Sequence, residues 1–87
     1  MDELARILII EDDATIRTLL EMALLGAGFR DVKSSPRGDE GLAEAKRMKP
    51  DLVLLDLMLP GLDGFTVAER IREAPELAAT RIIMLTA

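Results

Sequence analysis

The sequence predicts an α/β fold in which a doubly wound parallel sheet carries helices on both of its faces. Three short runs are continuously apolar instead of alternating between apolar and polar residues, namely residues 7–10, 52–55 and 82–85. Such runs are typical of strands that are covered on both faces, as in parallel sheets. Segments with apolar residues at helical spacing separate the runs, and their short connections imply right-handed crossovers. At 87 residues the chain is predicted to form one domain.

The first strand is predicted over residues 6–11, and it leads into an acidic cluster, residues 11–13. The following segment predicts a helix of about three and a half turns. Asp13 is placed to cap the start of this helix, and Gly26 and Gly28 mark its end. The apolar stripe of this helix consists of Ile16, Leu19, Leu20, Ala23, Leu24 and Ala27.

A second strand is predicted around residues 32–34, at an edge of the sheet because it is less apolar than the others. The next helix is predicted to start at Ser35-Pro36, since proline is tolerated in the first helical turn. Its buried stripe consists of Leu42, Ala45 and Met48. Pro50 marks the end of this helix or the turn after it.

The third strand is predicted over residues 51–56 and ends on the carboxylate of Asp56. A turn-rich loop follows, and Asp63 is placed to cap a third helix that ends at Pro75. One face of this helix carries Val67, Ala68 and Ile71. The fourth strand is predicted over residues 81–86. The chain therefore alternates strands and helices throughout.

The composition excludes several classes of function. Eleven basic residues against 16 acidic ones give a formal net charge of -5, and the absence of a basic patch argues against nucleic acid as a partner of this segment. The chain has no cysteine and no histidine, which excludes thiolate and histidine metal sites and Ser-His-Asp catalysis. Any chemistry must come from carboxylates, hydroxyls, amines and backbone groups.

The apolar runs are far shorter than the roughly 20 residues that span a bilayer. The acidic start of the chain also differs from the basic start of a targeting peptide. We therefore expect a soluble, cytoplasmic protein with no membrane partner.

The predicted strands place polar side chains together at their carboxyl ends. Glu11, Asp12, Asp56 and Thr86 follow or end three of the strands, and functional groups of open α/β sheets gather at this edge. Carboxylates that converge there would repel each other, and a bound cation relieves that repulsion. Oxygen ligands alone favour a hard ion, and an open site of few carboxylates favours Mg²⁺. An aspartate beside Mg²⁺ is a competent nucleophile toward phosphorus.

Three motifs together resemble the receiver domain of two-component response regulators. They are residues 7–13 (ILIIEDD), residues 50–64 (PDLVLLDLMLPGLDG) and residues 83–87 (IMLTA). The resemblance extends over the whole chain, and its middle motif is highly specific. It implies a flavodoxin-like sheet with the strand order 2-1-3-4 and a role in a phosphorelay.

The resemblance also implies a role for each site residue. Asp56 would be the phosphoacceptor, and Asp12, Asp56 and the backbone carbonyl of Met58 would bind Mg²⁺. Glu11 would act mainly through a metal-bound water, and the hydroxyl of Thr86 would hold the phosphoryl group. The phosphodonor would be a phosphohistidine on a partner histidine kinase or phosphotransfer protein, or a small acyl phosphate. The chain would thus be an acceptor domain and not a turnover enzyme.

A complete receiver continues after the Thr-Ala step with a helix, a fifth strand that opens with Lys-Pro, and a last helix. We therefore expect residues 1–87 to be a receiver domain truncated after the fourth strand, with impaired phosphorylation because that lysine is absent. The edge at residues 81–86 is expected to be open, and one face of the sheet is expected to expose core-type residues of the first and third strands and of the first helix, Leu24 among them. Both features predict a dimer or larger homo-oligomer.

Three alternatives remain at this stage. A phosphohydrolase of haloacid-dehalogenase type would also use an aspartyl nucleophile and Mg²⁺, but its acid/base position is occupied by Met58, which cannot transfer a proton. A flavodoxin-type electron carrier is disfavoured by the acidic loop and by the absence of Trp and Tyr. The third alternative is an inert structural fragment.

Overall fold

The computed structural model describes residues 4–85 and shows four parallel strands in one sheet. The order is β2-β1-β3-β4, which confirms the predicted α/β fold and strand order. The strands are β1 (Arg6–Ile10), β2 (Asp31–Ser35), β3 (Leu52–Asp56) and β4 (Arg81–Leu85). The helices are α1 (Ala14–Gly26), α2 (Gly38–Met48), α3 (Gly64–Glu73) and a short 3-10 helix (Pro75–Leu77).

The main core lies on the face of the sheet that α2 and α3 cover. Leu8 and Ile10 of β1 pack there with Val53 and Leu55 of β3. The helices contribute buried residues, including Leu42, Ala45, Met48, Val67 and Ile71. The predicted stripe of α2 is thus confirmed, because each of its three residues is buried.

The opposite face of the sheet is covered by α1, which contacts β1 and β2. Because side chains alternate along a strand, Ile7 and Ile9 lie on this face, and both are fully buried. No residue of α1 itself is buried. Its exposed large apolar side chains are Ile16, Leu19, Met22 and Leu25. The predicted exposure of core-type residues on this face was wrong for β1 and β3, where Ile7, Ile9 and Leu54 are buried, and Leu24 of α1 is half-buried.

Several predicted element bounds were wrong by one to three residues. The second helix begins at Gly38, and Pro36 lies outside it in the preceding turn. The first strand ends at Ile10, although the amide of Glu11 still donates to the carbonyl of Ser35 over 3.1 Å. Pro75 ends α3 as predicted but opens a 3-10 turn that the sequence analysis did not anticipate.

Both predicted aspartate caps are confirmed. Asp13 Oδ1 accepts from the amides of Thr15 and Ile16 over 2.9 and 3.0 Å. Asp63 Oδ1 accepts from the amide of Thr66 over 2.9 Å. Each cap satisfies amides that the first helical turn leaves without intrahelical partners. The caps start α1 and α3 immediately after the loops at the acidic edge of the sheet.

The opposite edge of the sheet, where the strands begin, is tied by backbone and side-chain hydrogen bonds. Asp51 Oδ2 accepts from the amide of Arg6 over 2.7 Å, and the amide of Asp51 donates to the Arg6 carbonyl over the same distance. The amide of Arg81 donates to the Asp51 carbonyl over 2.9 Å. The buried hydroxyl of Thr80 donates to the carbonyl of Pro50 over 2.7 Å. Three strands are therefore linked at their starts.

Candidate functional site

The structure brings together three of the predicted site residues at the carboxyl ends of two paired strands. Glu11 and Asp12 follow β1, and Asp56 ends β3, with Ile10 opposite Leu55 in the register. One carboxylate oxygen from each of Glu11, Asp12 and Asp56 lies within 4.8 Å of the other two. Glu11 is buried, whereas Asp12 is exposed. Thr86, the fourth predicted site residue, lies outside the described residues.

This cluster has the chemistry of a site for a hard divalent cation. It offers three converging carboxylate oxygens, of which that of Asp12 is open to solvent, and no nitrogen or sulfur ligand. Mg²⁺ takes a small number of carboxylates and completes its octahedron with water or substrate oxygens. The residues present therefore fit such an ion.

Burial perturbs the pKa of Glu11. Desolvation raises the pKa of Glu11 from 4.5 to about 7, against the lowering effect of a hydrogen bond from the Asp13 amide. That amide lies 3.2 Å from Glu11 Oε2. Asp56 raises the pKa of Glu11 further, because protonated Glu11 can donate a hydrogen bond to that carboxylate and because the two negative charges repel each other. Without a cation, Glu11 is therefore about half protonated near neutral pH.

The raised pKa predicts a pH-dependent stability in the absence of metal. The folded state holds the Glu11 proton more tightly than the unfolded state, so the stabilisation is fully present below pH 4.5 and is lost as the pH rises to about 7. We expect the free energy of unfolding in urea and EDTA to fall from pH 5 to pH 8 in the unaltered protein. The decline should be absent in Glu11→Gln and retained in Glu40→Gln, which changes an exposed acid. If the free energy of unfolding declined equally in Glu11→Gln and Glu40→Gln, the decline would belong to a group other than Glu11.

Arg17 lies beside the site, and the sequence pattern did not predict its role there. Its guanidinium Nη1 donates to the backbone carbonyl of Glu11 over 2.8 Å and to that of Asp12 over 3.4 Å. The side chain thus holds the turn between β1 and α1 from the first turn of the helix. The only sequence signal is a cation one turn into a helix that follows an acidic cluster.

Met58, whose backbone carbonyl is predicted to bind Mg²⁺, lies in the loop beside the acids. Its amide lies 3.4 Å from Asp56 Oδ1, and its side chain is exposed. An open cavity of about 400 Å³ extends from the acids toward α1 and β4. Its apolar lining consists of Ile16, Leu20, Met58 and Leu85. The cavity is large enough for a phosphoryl group beside the acids.

A model of the response regulator receiver domain family matches residues 7–87 of the chain. The chain is 48% identical over 81 residues to the transcriptional regulatory protein AfsQ1 of Streptomyces coelicolor, and 48% identical over 82 residues to the DNA-binding dual master transcriptional regulator RpaA of Synechocystis. These alignments cover 93% and 94% of the chain. They cover only 34% of each relative, so the chain spans about a third of the length of these proteins.

The fold is also similar to those of solved structures. The fold matches the receiver domain of a sensor histidine kinase of Pseudomonas aeruginosa PAO1 with a TM-score of 0.90 and 33% identity. The match covers 97% of this chain and 68% of that domain, whose crystal structure has a magnesium ion coordinated in its active-site cleft. A chemotaxis response regulator of Vibrio cholerae matches with a TM-score of 0.88 and 28% identity, over 93% of this chain and 67% of that one.

Proposed function

The chain belongs to the response regulator receiver domain family, and from that membership we propose that it is a phosphoacceptor module of a two-component phosphorelay, with Asp56 as the acceptor. The observation that carries the proposal is the convergence of Glu11, Asp12 and Asp56 at one edge of the sheet. Residues 1–87 would belong to one receiver domain.

The proposed reaction transfers a phosphoryl group to Asp56. One carboxylate oxygen of Asp56 attacks the phosphorus atom of the donor and forms a new P–O bond, while the bond to the leaving atom breaks and its electron pair departs with the donor. The donor would be a phosphohistidine on a histidine kinase or phosphotransfer protein, or a small acyl phosphate. Thr86 is proposed to hold the transferred group through its hydroxyl.

The acidic cluster is proposed to hold Mg²⁺ during this transfer. Glu11, Asp12, Asp56 and the backbone carbonyl of Met58 would provide the protein ligands, with Glu11 acting mainly through a water. The bound ion would offset the charge of the phosphoryl oxygens as they approach the carboxylates. Arg17 supports this arrangement because it holds the backbone on which Glu11 and Asp12 are carried.

A phosphohydrolase of haloacid-dehalogenase type finds no support in the site. The position two residues after Asp56 is Met58, and a thioether cannot act as the general acid that such a reaction needs. A phosphoacceptor domain, and not a turnover enzyme, is the function that these residues support best.

The test of the proposal is phosphorylation in a lengthened protein. We would append the segment that follows the matched region in the Streptomyces relative, incubate the product with acetyl phosphate and Mg²⁺, and measure the intact mass. One added phosphoryl group, removed by hydroxylamine and absent in EDTA, would support the proposal. The 87-residue polypeptide alone is expected to label more slowly or not detectably, because it does not include the lysine that opens the fifth strand of a complete receiver and would help to neutralise the phosphoryl charge. No labelling of the lengthened protein would contradict the proposal.

We also propose that the 87-residue chain self-associates, with β4 of one copy against β4 of another. Within residues 4–85, β4 pairs with β3 on one side only. The edge of such a strand presents backbone groups that can pair with another chain. Ile83 of this strand is 50% exposed, and the neighbouring face of α1 adds further exposed apolar side chains.

Sedimentation across a dilution series would measure this association. We expect the weight-average mass of the unaltered chain to rise with concentration above that of one copy. Ile83→Lys places a charge on the strand edge and is expected to shift the equilibrium toward the monomer. Lys33→Ile would serve as a comparison at the other edge of the sheet. A folded monomer at every concentration would overturn this proposal.

A further inference from the structure

The start of α2 lies directly against the loop that joins β3 to α3. The amide of Gly38 donates to the carbonyl of Pro60 over 2.9 Å. A Cβ atom at Gly38 would lie 1.8 Å from the carbonyl oxygen of Leu62 and 2.7 Å from its carbonyl carbon. Because these are backbone atoms, they cannot rotate away as a flexible side chain would. Only glycine allows this approach.

The loop that Gly38 contacts, residues 57–63, is the loop of the acidic site. It begins directly after Asp56, and the amide of Met58 lies 3.4 Å from Asp56 Oδ1. A second open cavity, of about 380 Å³, is lined by Asp12 and by residues of this loop, including Leu57, Met58, Leu59 and Pro60. Any shift of the loop would therefore move backbone groups beside the acids.

The loop is held at two separate points. At its ends, the amide of Gly64 donates to the carbonyl of Leu57 over 2.9 Å, and a Cβ atom at Gly64 would lie 2.2 Å from the carbonyl oxygen of Asp56. In its middle, the loop is held by Gly38, which belongs to a different helix. The contact between Gly64 and Leu57 closes the loop. The contact between Gly38 and Pro60 sets the distance of the middle of the loop from the sheet.

A charged pair lies beside the second contact. Arg37 Nε lies 3.0 Å from Asp39 Oδ1, on either side of Gly38 in the chain. A Cβ atom at Gly61 would lie 2.5 Å from that same oxygen of Asp39. The start of α2 thus lies against three consecutive loop residues, Pro60, Gly61 and Leu62.

We propose that Gly38 is a positioning residue for the metal site, acting through the loop backbone that carries Met58. This inference rests on the proposed function, because it assumes that the acidic cluster binds Mg²⁺. Gly38 does not itself belong to the cluster. Its role is to let α2 hold the loop close, so that the backbone of Met58 stays beside Asp56.

Substitution of Gly38 by alanine is the first test. The added Cβ must displace the loop, so we expect the Mg²⁺ dissociation constant of Gly38→Ala to rise by about tenfold or more, the range seen when partners that orient metal ligands are lost. Binding would be followed by calorimetry and by the amide signals of Asp12 and Met58 in Mg²⁺ titrations. The same titrations on the unaltered protein test the proposed function separately.

Two controls separate positioning from loss of stability. Leu77→Ala removes a fully buried side chain of the 3-10 turn and should destabilise the fold without altering Mg²⁺ affinity. Gly26→Ala adds a Cβ where no atom lies within 4 Å, so affinity should also be unchanged. Weakened binding in Leu77→Ala equal to that in Gly38→Ala would overturn the inference, as would unchanged binding in Gly38→Ala.

A measurement on the unaltered protein applies even where Gly38→Ala does not fold. Coupling between two sites is reciprocal, so Mg²⁺ must strengthen the contact between Gly38 and Pro60. We expect saturating Mg²⁺ to slow hydrogen exchange of the Gly38 amide more than that of Gly41, whose amide donates to the Arg37 carbonyl in the same helix. Equal slowing at both amides would overturn the inference. Failure of Mg²⁺ to bind at all would overturn the proposed metal site itself.

Discussion

Replacement of Asp56 by asparagine is expected to abolish phosphorylation of the lengthened protein by acetyl phosphate. Asparagine keeps the shape of the side chain but has no anionic oxygen to attack phosphorus. Asp56 ends β3 and shares the carboxyl edge with Glu11 and Asp12. The expected loss is complete within the detection limit of intact-mass spectrometry.

The matched control is Asp51→Asn, immediately before the other end of the same strand. Asp51 accepts a hydrogen bond from the amide of Arg6 through Oδ2, which an asparagine carbonyl can still accept. We expect Asp51→Asn to label at the rate of the unaltered protein. Peptide mapping should place the label on Asp56, and a label that persists in Asp56→Asn would show that another residue is the acceptor.

The second large effect concerns metal-dependent stability. Mg²⁺ that binds only the folded state is expected to stabilise it by about 2.7 kcal/mol at a hundred times the dissociation constant. For a domain of this size, each kcal/mol corresponds to a rise of about 4–8 °C in melting temperature. Asp12→Ala removes one carboxylate oxygen of the cluster and is expected to erase the Mg²⁺-dependent rise.

Without metal, the melting temperatures of Asp12→Ala and of the unaltered protein should differ in the opposite direction. Asp12→Ala also removes a charge that repels its neighbours, so in EDTA this variant is expected to melt at or above the temperature of the unaltered protein. Glu69→Ala, which changes an exposed acid on α3, should keep the full Mg²⁺ effect. An equal Mg²⁺ shift in Asp12→Ala, reproduced by sodium chloride at matched ionic strength, would mean that the ion acts through screening.

The features that the sequence predicted well are those set by local patterns. The apolar runs at residues 7–10 and 52–55 became the two central strands, because only buried strands tolerate side chains that are apolar on both faces. The caps at Asp13 and Asp63 followed from a short acceptor placed directly before a helical pattern. Two acids after one central strand and one at the end of the next were enough to predict that they meet.

The features that the sequence did not predict depend on contacts between distant segments. Pro36 is compatible with a first helical turn, but the helix starts at Gly38, where the chain must approach the loop carbonyls of Pro60 and Leu62. Arg17 reads as an ordinary surface residue, since its backbone partners become apparent only in the folded turn. The pKa of Glu11 likewise depends on burial, which its place after a strand does not quantify.

The hydrogen bonds of Asp51 and Thr80 make the two ends of the sheet different. They bind β1, β3 and the approach to β4 at one end, while mutually repelling acids lie at the other. Repulsion among the acids would therefore act on the strand ends that carry them and not on the linked strand starts. Neutralising those charges would remove the repulsion at the strand ends that carry the acids and would leave the linked strand starts unaffected. The end of the sheet where the strands begin therefore fixes the register, and the end that carries the three acids is where a change in charge would act.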